Sequence, residues 1–184
     1  MLGAAAEMRM ALAQALHHAR HRRSFGKRLV EHALMANVLS DMAIESEAAT
    51  ALSMRVARAV DAAPQDPREA AFARVATAIG KFWVCKRAPA FVNEAQECLG
   101  GAGYVEESML PRLYRQAPLN SIWEGSGNVQ CLDVLRALAR EPQARAALLD
   151  ELQQVSGQSG VYDHALAAVS PALSGAAIAE ADAR

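Results

Sequence analysis

The sequence predicts an all-α fold, an antiparallel four-helix bundle followed by a helical tail. Three observations support this fold class. Hydrophobic residues make up 52% of the 184 residues and charged residues only 21%, and much of the apolar excess is alanine, which favours helix over strand. Apolar residues recur at intervals of three, four and seven, as one face of an amphipathic helix requires. No alternating strand pattern and no internal repeat is visible, so we expect helices throughout.

The first three predicted helices are long. Helix one runs from residue 2 to about residue 23, where arginine and histidine gather at the negative end of the helix dipole. After a turn at residues 24–26, a second helix presents one apolar face. That face comprises Leu34, Val38, Met42, Ala49, Leu52, Val56 and Val60. Pro64 and Pro67 break the pattern, and Pro67 can begin the third helix, which we place at about residues 68–99.

Shorter elements follow. The glycines of residues 100–103 end helix three, because glycine tolerates the left-handed backbone of helix carboxy termini. We expect a short helix at 110–116 and another that starts near 126–128, where cap-forming residues precede an apolar pattern. Pro142 ends or restarts that helix. Two more helices, at about 142–155 and 161–182, flank a flexible link. The predicted bundle therefore covers residues 1–140 and the tail covers 141–184.

Net charge, cysteine content and the lengths of apolar runs limit the classes of partner and the cellular compartment that we expect. The formal net charge of -1 gives no global field that would attract nucleic acid or an anionic membrane. Cys85, Cys98 and Cys131 lie far apart among apolar neighbours, so we expect neither a disulfide framework nor a metal site. The amino terminus lacks the uninterrupted apolar stretch of a secretory signal, and no run is long enough to span a bilayer. A reducing cytoplasm and no membrane partner fit best.

One carboxylate occupies an unusual position. Glu124 follows Ile122 and Trp123 and precedes two glycines at a predicted helix start. A base that removes a proton from carbon needs a raised pKa, and partial burial against Trp123 would raise the pKa of Glu124. The alternative is a solvated acid that complements the helix amino terminus. The local sequence leaves both open.

Two further segments have the composition of anion sites. The glycines at 100, 101 and 103 could expose backbone amides to a phosphate, or could simply end a helix. Between residues 20 and 27, several cations surround a turn that contains Phe25, which suits a clamp for a pyrophosphate or an ordinary solvated helix end.

Together, the three segments resemble the acyl-CoA dehydrogenase family in order and separation. The shared motifs are Arg-x-x-Phe-Gly at 22–26, Gly-Gly-x-Gly-Tyr at 100–104 and Trp-Glu-Gly-Ser at 123–126. The resemblance covers about residues 1–140 and corresponds to the last, all-helical domain of that family. Three segments are most similar to the alkylation-response, AidB-like branch. They are Glu-Cys-Leu-Gly-Gly, Pro-Arg-Leu-Tyr-Arg and Asn-Ser-Ile-Trp-Glu-Gly-Ser-Gly-Asn-Val.

This resemblance implies a catalytic base and a site for FAD. Glu124 would take the α proton of a fatty acyl-CoA while the β hydrogen leaves as hydride to the flavin. Arg22 and Phe25 would contact the FAD of a neighbouring subunit. The glycine segment would bind the phosphate or adenine portion of that FAD. Ser126 and Asn128 would contact the flavin in the half-site of their own chain. The expected cofactor-binding residues are Arg22, Phe25, Glu97, Gly100, Gly101, Gly103, Ser126 and Asn128.

Two departures from the family pattern qualify that expectation. Many members have glutamine where this chain has Glu97. The negative charge of this second acid would repel a pyrophosphate. The family also places a helical domain and a β domain before these helices, and the flavin ring lies against the β domain. We therefore expect the isolated chain to have no dehydrogenase turnover.

Two other functions remain open at the level of sequence. In the alkylation-response branch, the helices would bind double-stranded DNA. The arginines available for this are Arg112, Arg115, Arg136, Arg140 and Arg145, although they are scattered among acids. Alternatively, the chain is an assembly module, since the corresponding helices form the oligomer core of the family. That alternative predicts a homodimer or homotetramer.

Overall fold

The computed structural model describes residues 1–173. Over that range the fold is all-α, which confirms the predicted class. The elements in chain order are α1 (Leu2–His21), β1 (Arg23–Ser24), β2 (Lys27–Arg28), α2 (Ala33–Ala62), α3 (Pro67–Leu99), α4 (Gly101–Tyr104), α5 (Leu110–Gln116), α6 (Gly127–Arg140), α7 (Pro142–Gln153) and α8 (Gly160–Leu173). Short 3₁₀ segments occupy Leu29–Glu31 and Ala117–Ser121. The predicted end of the last helix, at 182, falls outside the described residues.

Proline and glycine fix several helix ends where the sequence predicted them. The α3 helix begins at Pro67, and the Asp66 Oδ1 caps it by accepting hydrogen bonds from the amides of Arg68 (2.8 Å) and Glu69 (3.3 Å). It ends before Gly100, whose φ of 62° is left-handed. The predicted short helix at 110–116 coincides with α5. By contrast, α1 stops at His21, two residues early, because Arg22 adopts an extended backbone.

The first compact unit comprises Met1–Met54 and Trp83–Glu124. Its core is built largely from alanines and a few larger side chains, and small side chains let helices approach closely. The buried α1 residues include Ala4, Met8, Ala11, Ala15 and Ala19. They belong to one hydrophobic cluster with buried residues of α2, α3 and α5, such as Met42, Phe91 and Leu110. This unit carries the hairpin, the glycine segment and Glu124.

The second unit comprises 55–82 and the described residues from 125 onwards. Two arginines hold it together. Arg55 donates to both carboxylate oxygens of Glu69 (2.7 and 3.0 Å) and of Glu151 (2.6 and 2.9 Å), and it stacks on Phe72. Arg74 donates to both carboxylate oxygens of Asp133 (2.8 and 3.0 Å) and to one oxygen of Glu141 (3.1 Å). These side chains are mostly shielded from solvent, so the ion pairs are screened less than surface pairs.

The apolar face predicted for the second helix is buried only in its middle. Met42, Ala49 and Val56 are at most 4% exposed. Leu34 near one end is 81% exposed, and Val60 near the other is 55% exposed. Periodicity therefore identifies the face, but the extent of coverage depends on what packs against it.

The expectation of no strands was wrong. Arg23 pairs with Arg28 and Ser24 with Lys27 in a small antiparallel hairpin. Its two-residue turn is Phe25 (φ 48°) and Gly26 (φ 84°), and positive φ at both positions is the backbone of a type I′ turn. The strands contain two residues each, too short to show an alternating pattern. The domain boundary at residue 140 remains a prediction.

Several groups that often bind metals or lipids do not form such sites in the described part. No three histidine, cysteine, aspartate or glutamate residues within 1–173 cluster as a metal would require. Cys85, Cys98 and Cys131 are buried thiols, and burial raises the pKa of Cys98 to about 11, which keeps it neutral and unreactive. None of the described helices has the length and apolar character needed to cross a bilayer.

Candidate functional site

The backbone at Glu124 is strained. Glu124 has a φ of 54°, and it is followed by Gly125 with a φ of 96°. For a residue with a side chain, this left-handed conformation costs about 1–2 kcal/mol. The φ of Gly125 strains any residue with a side chain, so the second position favours glycine. Strain of this kind concentrates at functional sites, where the surrounding structure maintains it.

The side chains around Glu124 lie open to solvent in this chain. Glu124 is exposed, Trp123 is 49% exposed and Ile122 is 63% exposed. The partial burial that the sequence suggested for Glu124 is therefore not supplied by the described residues. An apolar ligand that covered Ile122 and Trp123 would bring the carboxylate into a drier environment.

The α6 helix begins immediately after this turn, as the sequence predicted. Ser126 is its N-cap residue, but the Ser126 side chain makes no capping hydrogen bond. Asn128 is exposed in the first turn. The Gln130 Nε2 donates to the carbonyl oxygen of Gly125 at 3.2 Å, which ties the first turn of α6 to the residue before its N-cap. The α6 helix therefore begins, in sequence, three residues after the candidate base.

The turn of the hairpin exposes the aromatic ring of Phe25 to solvent. Phe25 is 95% exposed despite its strained backbone. Three contacts brace it: Arg23 Nη2 donates to the Gly26 carbonyl (3.0 Å), His32 Nε2 donates to the Ser24 carbonyl (3.1 Å), and the His32 ring meets Phe25 edge-on with centroids 6.3 Å apart. A rigid, exposed aromatic next to the exposed Arg22 is the arrangement of a contact for a planar, anionic ligand.

The glycine segment divides into two parts with different roles. A Cβ at Gly103 would lie 2.5 Å from the backbone oxygen of Gln96, so this glycine is required for close packing inside the chain. Gly100 and Gly101 are exposed, and a Cβ at either would have no neighbour within 4 Å. Only these two can approach a ligand. Glu97 is exposed and accepts a hydrogen bond from the Asn93 side chain at 2.9 Å.

The base and the hairpin belong to different ends of α1. The segment that leads to Glu124 is attached near the start of that helix, where the Asn120 Nδ2 donates to the Glu7 Oε2 at 2.9 Å. The hairpin follows the other end, at Arg22. Fifteen residues separate Glu7 from Arg22, which corresponds to about 22 Å along a helix.

Glu7, Asn120 and His32 were not predicted from the sequence. Each acts by contacting a residue far along the chain or across a turn, and no local motif marks such a contact. The signal that could have been used for Asn120 is its place three residues after a core alanine, which turns it inward.

Residues 1–139 match the family described as acyl-CoA dehydrogenase, C-terminal domain. The chain belongs to the acyl-CoA dehydrogenase family. It is 50% identical over 165 residues to the putative acyl-CoA dehydrogenase AidB of Escherichia coli (strain K12), covering 90% of this chain and 30% of that protein. It is 30% identical over 128 residues to the cyclohexane-1-carbonyl-CoA dehydrogenase of Geobacter metallireducens, covering 70% of this chain and 32% of that protein.

Solved structures of the acyl-CoA dehydrogenase family show the same fold. The structure of Caenorhabditis elegans ACDH-11 in complex with C11-CoA superposes with a TM-score of 0.81 at 29% identity, covering 93% of this chain and 30% of that one. The likeness to AidB supports the branch that the sequence indicated. The chain spans about 30% of the length of these relatives, so it corresponds to their carboxy-terminal domain.

The arginines considered for DNA binding give that reading no support. Arg115 pairs with both carboxylate oxygens of Glu106 (2.8 and 3.2 Å), and Arg136 lies 3.6 Å from Asp133. Pairing with acids on the chain neutralises part of the charge that a phosphate backbone would need.

Proposed function

We propose that this chain supplies the general base and part of the flavin site for the α,β-dehydrogenation of an acyl-CoA thioester. The observation that carries the proposal is the placement of Glu124, in a strained left-handed turn between an exposed tryptophan and the start of α6. The Glu124 side chain is exposed in this turn. The similarity to relatives whose printed names include an acyl-CoA substrate supports the substrate class.

The chemistry assigned to Glu124 is proton removal. Its carboxylate takes the proton from the carbon α to the thioester carbonyl, and the electron pair of that C–H bond forms the new α,β double bond. The backbone amide of Glu124 donates to the thioester oxygen and stabilises the charge that develops there. A bound flavin would supply the oxidant by accepting the β hydrogen as hydride. The product is an enoyl-CoA, and Glu124 is left protonated.

The exposed groups of the chain fit FAD. Arg22 offers a cation for the pyrophosphate and Phe25 a flat apolar face, whereas Ser126 and Asn128 offer hydrogen-bonding groups next to the base. The family resemblance implies that one chain serves two sites, its Glu124 acting in one and its hairpin completing that of a neighbouring subunit. The separation of about 22 Å along α1 between the hairpin and the Glu7 contact is consistent with this arrangement. We therefore propose a homodimer or homotetramer.

We expect the isolated chain to bind FAD through its part of the site without catalysing acyl-CoA oxidation. About 70% of the length of its relatives lies outside the matched region. An assay of acyl-CoA oxidation with an artificial electron acceptor should give no activity above background. Measurable flavin-dependent oxidation by the 184-residue chain would contradict this expectation.

Titration with FAD tests the cofactor site directly. Flavin fluorescence should be quenched in a saturable way by the wild-type chain, and Arg22→Ala should weaken binding about tenfold, the loss of one charge-assisted contact. Arg20→Ala is the matched control, since it removes an exposed arginine two residues away but outside the motif. No saturable binding, or equal weakening by both substitutions, would overturn the assignment of the hairpin to the cofactor.

A further inference from the structure

The segment that presents Glu124 is fixed to the rest of its unit by few buried side chains. From Ala117 to Glu124 only Ala117 and Asn120 are buried; Ile122, Trp123 and Glu124 are exposed. Ala117 belongs to the hydrophobic cluster and fixes the start of the segment. Asn120 lies four residues before the base, so its anchor point is the nearer of the two.

Asn120 is one of three buried polar side chains in the described part of the chain, with Ser46 and Ser53. It is 9% exposed, and its Nδ2 donates to the Glu7 Oε2 at 2.9 Å. Burial raises the pKa of Glu7, an effect that the hydrogen bond from Asn120 opposes. The partners are 113 residues apart in sequence, so this contact ties the Glu124 segment to α1 and not to its own neighbours.

The backbone after Asn120 also forms local hydrogen bonds. The amides of Ile122 and Trp123 both donate to the carbonyl oxygen of Leu119, at 3.0 and 3.1 Å. These bonds keep the turn closed but move with it. A contact to another helix orients the turn as a whole, and the left-handed backbone of Glu124 persists only where the surroundings enforce it.

We propose that Glu7 is a positioning residue, which acts through Asn120 to orient the turn that carries Glu124. The proposal rests on the function proposed above for Glu124, but the contact itself does not depend on flavin or substrate. A merely structural pair would stabilise the fold as a whole. A positioning pair would hold the Glu124 turn in particular, and this difference can be measured.

The experiment uses the 184-residue chain with Trp83→Phe, which leaves Trp123 as the single tryptophan. Glu7→Ala removes the acceptor, whereas Glu7→Gln retains an oxygen that Asn120 can reach. We expect Glu7→Ala to raise acrylamide quenching of Trp123, which is already 49% exposed, by up to about twofold, and to speed amide exchange at residues 122–124 about tenfold. Glu7→Gln should return both the quenching and the exchange rates to the values of the parent. Exchange in the α3 core should stay unchanged.

Asn120→Ala provides a second route to the same result, because it removes the donor and leaves α1 intact. It should reproduce the effect of Glu7→Ala, and the double variant should add little to either. If Glu7→Ala fails to fold, Asn120→Ala and Glu7→Gln decide the question. Unchanged quenching and exchange at 122–124, or equal changes there and in α3, would overturn the positioning role. FAD titration of Arg22→Ala, in which Glu7 and Asn120 are unchanged, reports separately on the proposed function.

Discussion

Replacing Phe25 by asparagine should stabilise the chain while removing a proposed cofactor contact. Phe25 occupies the first position of a type I′ turn, with φ 48°, and Gly26 occupies the second. Asn-Gly is the pair that such turns favour, because asparagine tolerates the left-handed region better than other residues with a side chain. The native phenylalanine is therefore poor for the turn, although it is almost fully exposed.

The magnitude follows from two opposing contributions. Relief of the left-handed strain contributes about 1 kcal/mol, the lower end of the usual range. Loss of the edge-on contact with His32 costs about 0.5 kcal/mol, since the ring is 95% exposed and its pairing is weak. Burial contributes almost nothing. The net gain is about 0.5 kcal/mol, which raises the unfolding temperature of a domain of this size by about 1–2 °C.

The control variant is Phe25→Ala, which loses the ring but keeps the strain. It should be about 0.5 kcal/mol less stable than the parent, so the two variants should differ by about 1 kcal/mol. Urea unfolding followed by circular dichroism measures the global effect. Exchange of the Leu29 amide, which donates to the Arg22 carbonyl at 2.9 Å and closes the hairpin, measures the local effect and should differ about fivefold. If Phe25→Asn is no more stable than Phe25→Ala by either measure, the strain argument is wrong. Both variants should weaken FAD binding equally.

Two further predictions concern the packing and the ion pairs. Gly103→Ala should cost about 1–3 kcal/mol because its Cβ would collide with backbone, whereas Gly101→Ala should be nearly neutral; equal midpoints in urea would contradict this. Arg55→Met should cost about 2–3 kcal/mol by leaving two shielded carboxylates without their cation. The hydrogen bond from Arg55 lowers the pKa of Glu151, so the stability from this pair is present at neutral pH and is lost as the pH falls through the lowered pKa. The stability difference between Arg55→Met and the parent should therefore shrink in acid, and a constant difference down to pH 3 would refute that linkage.

The sequence predicted the elements whose ends are marked by local chemistry. Proline at 67 starts α3, the left-handed Gly100 ends it, and both act within a few residues of their own position. The hairpin was missed for the same reason. Its turn is Phe-Gly where the usual signal is Asn-Gly, and a phenylalanine gives no sign that its backbone will be left-handed.

The candidate site shows the same division. Arg22, Phe25 and Glu124 were predicted because they lie in recognisable motifs, and all three side chains are exposed. The backbone conformation and burial of these residues are harder to predict from the sequence. The strain at Phe25 and at Glu124 appears only in the backbone angles, and the expected burial of Glu124 against Trp123 is not present in this chain.

A reactive residue can be recognised from a local sequence motif, whereas a residue that positions it cannot. A reactive carboxylate must be one residue type in one turn, which leaves a short pattern of letters. Its support must only reach it, from wherever the fold brings a partner close. Glu7 looks like an ordinary acid on an alanine-rich helix, and Asn120 like one polar residue in a loop. Their contact across 113 residues exists only once α1 and the 3₁₀ segment are packed, so the support of the Glu124 turn had to come from the structure.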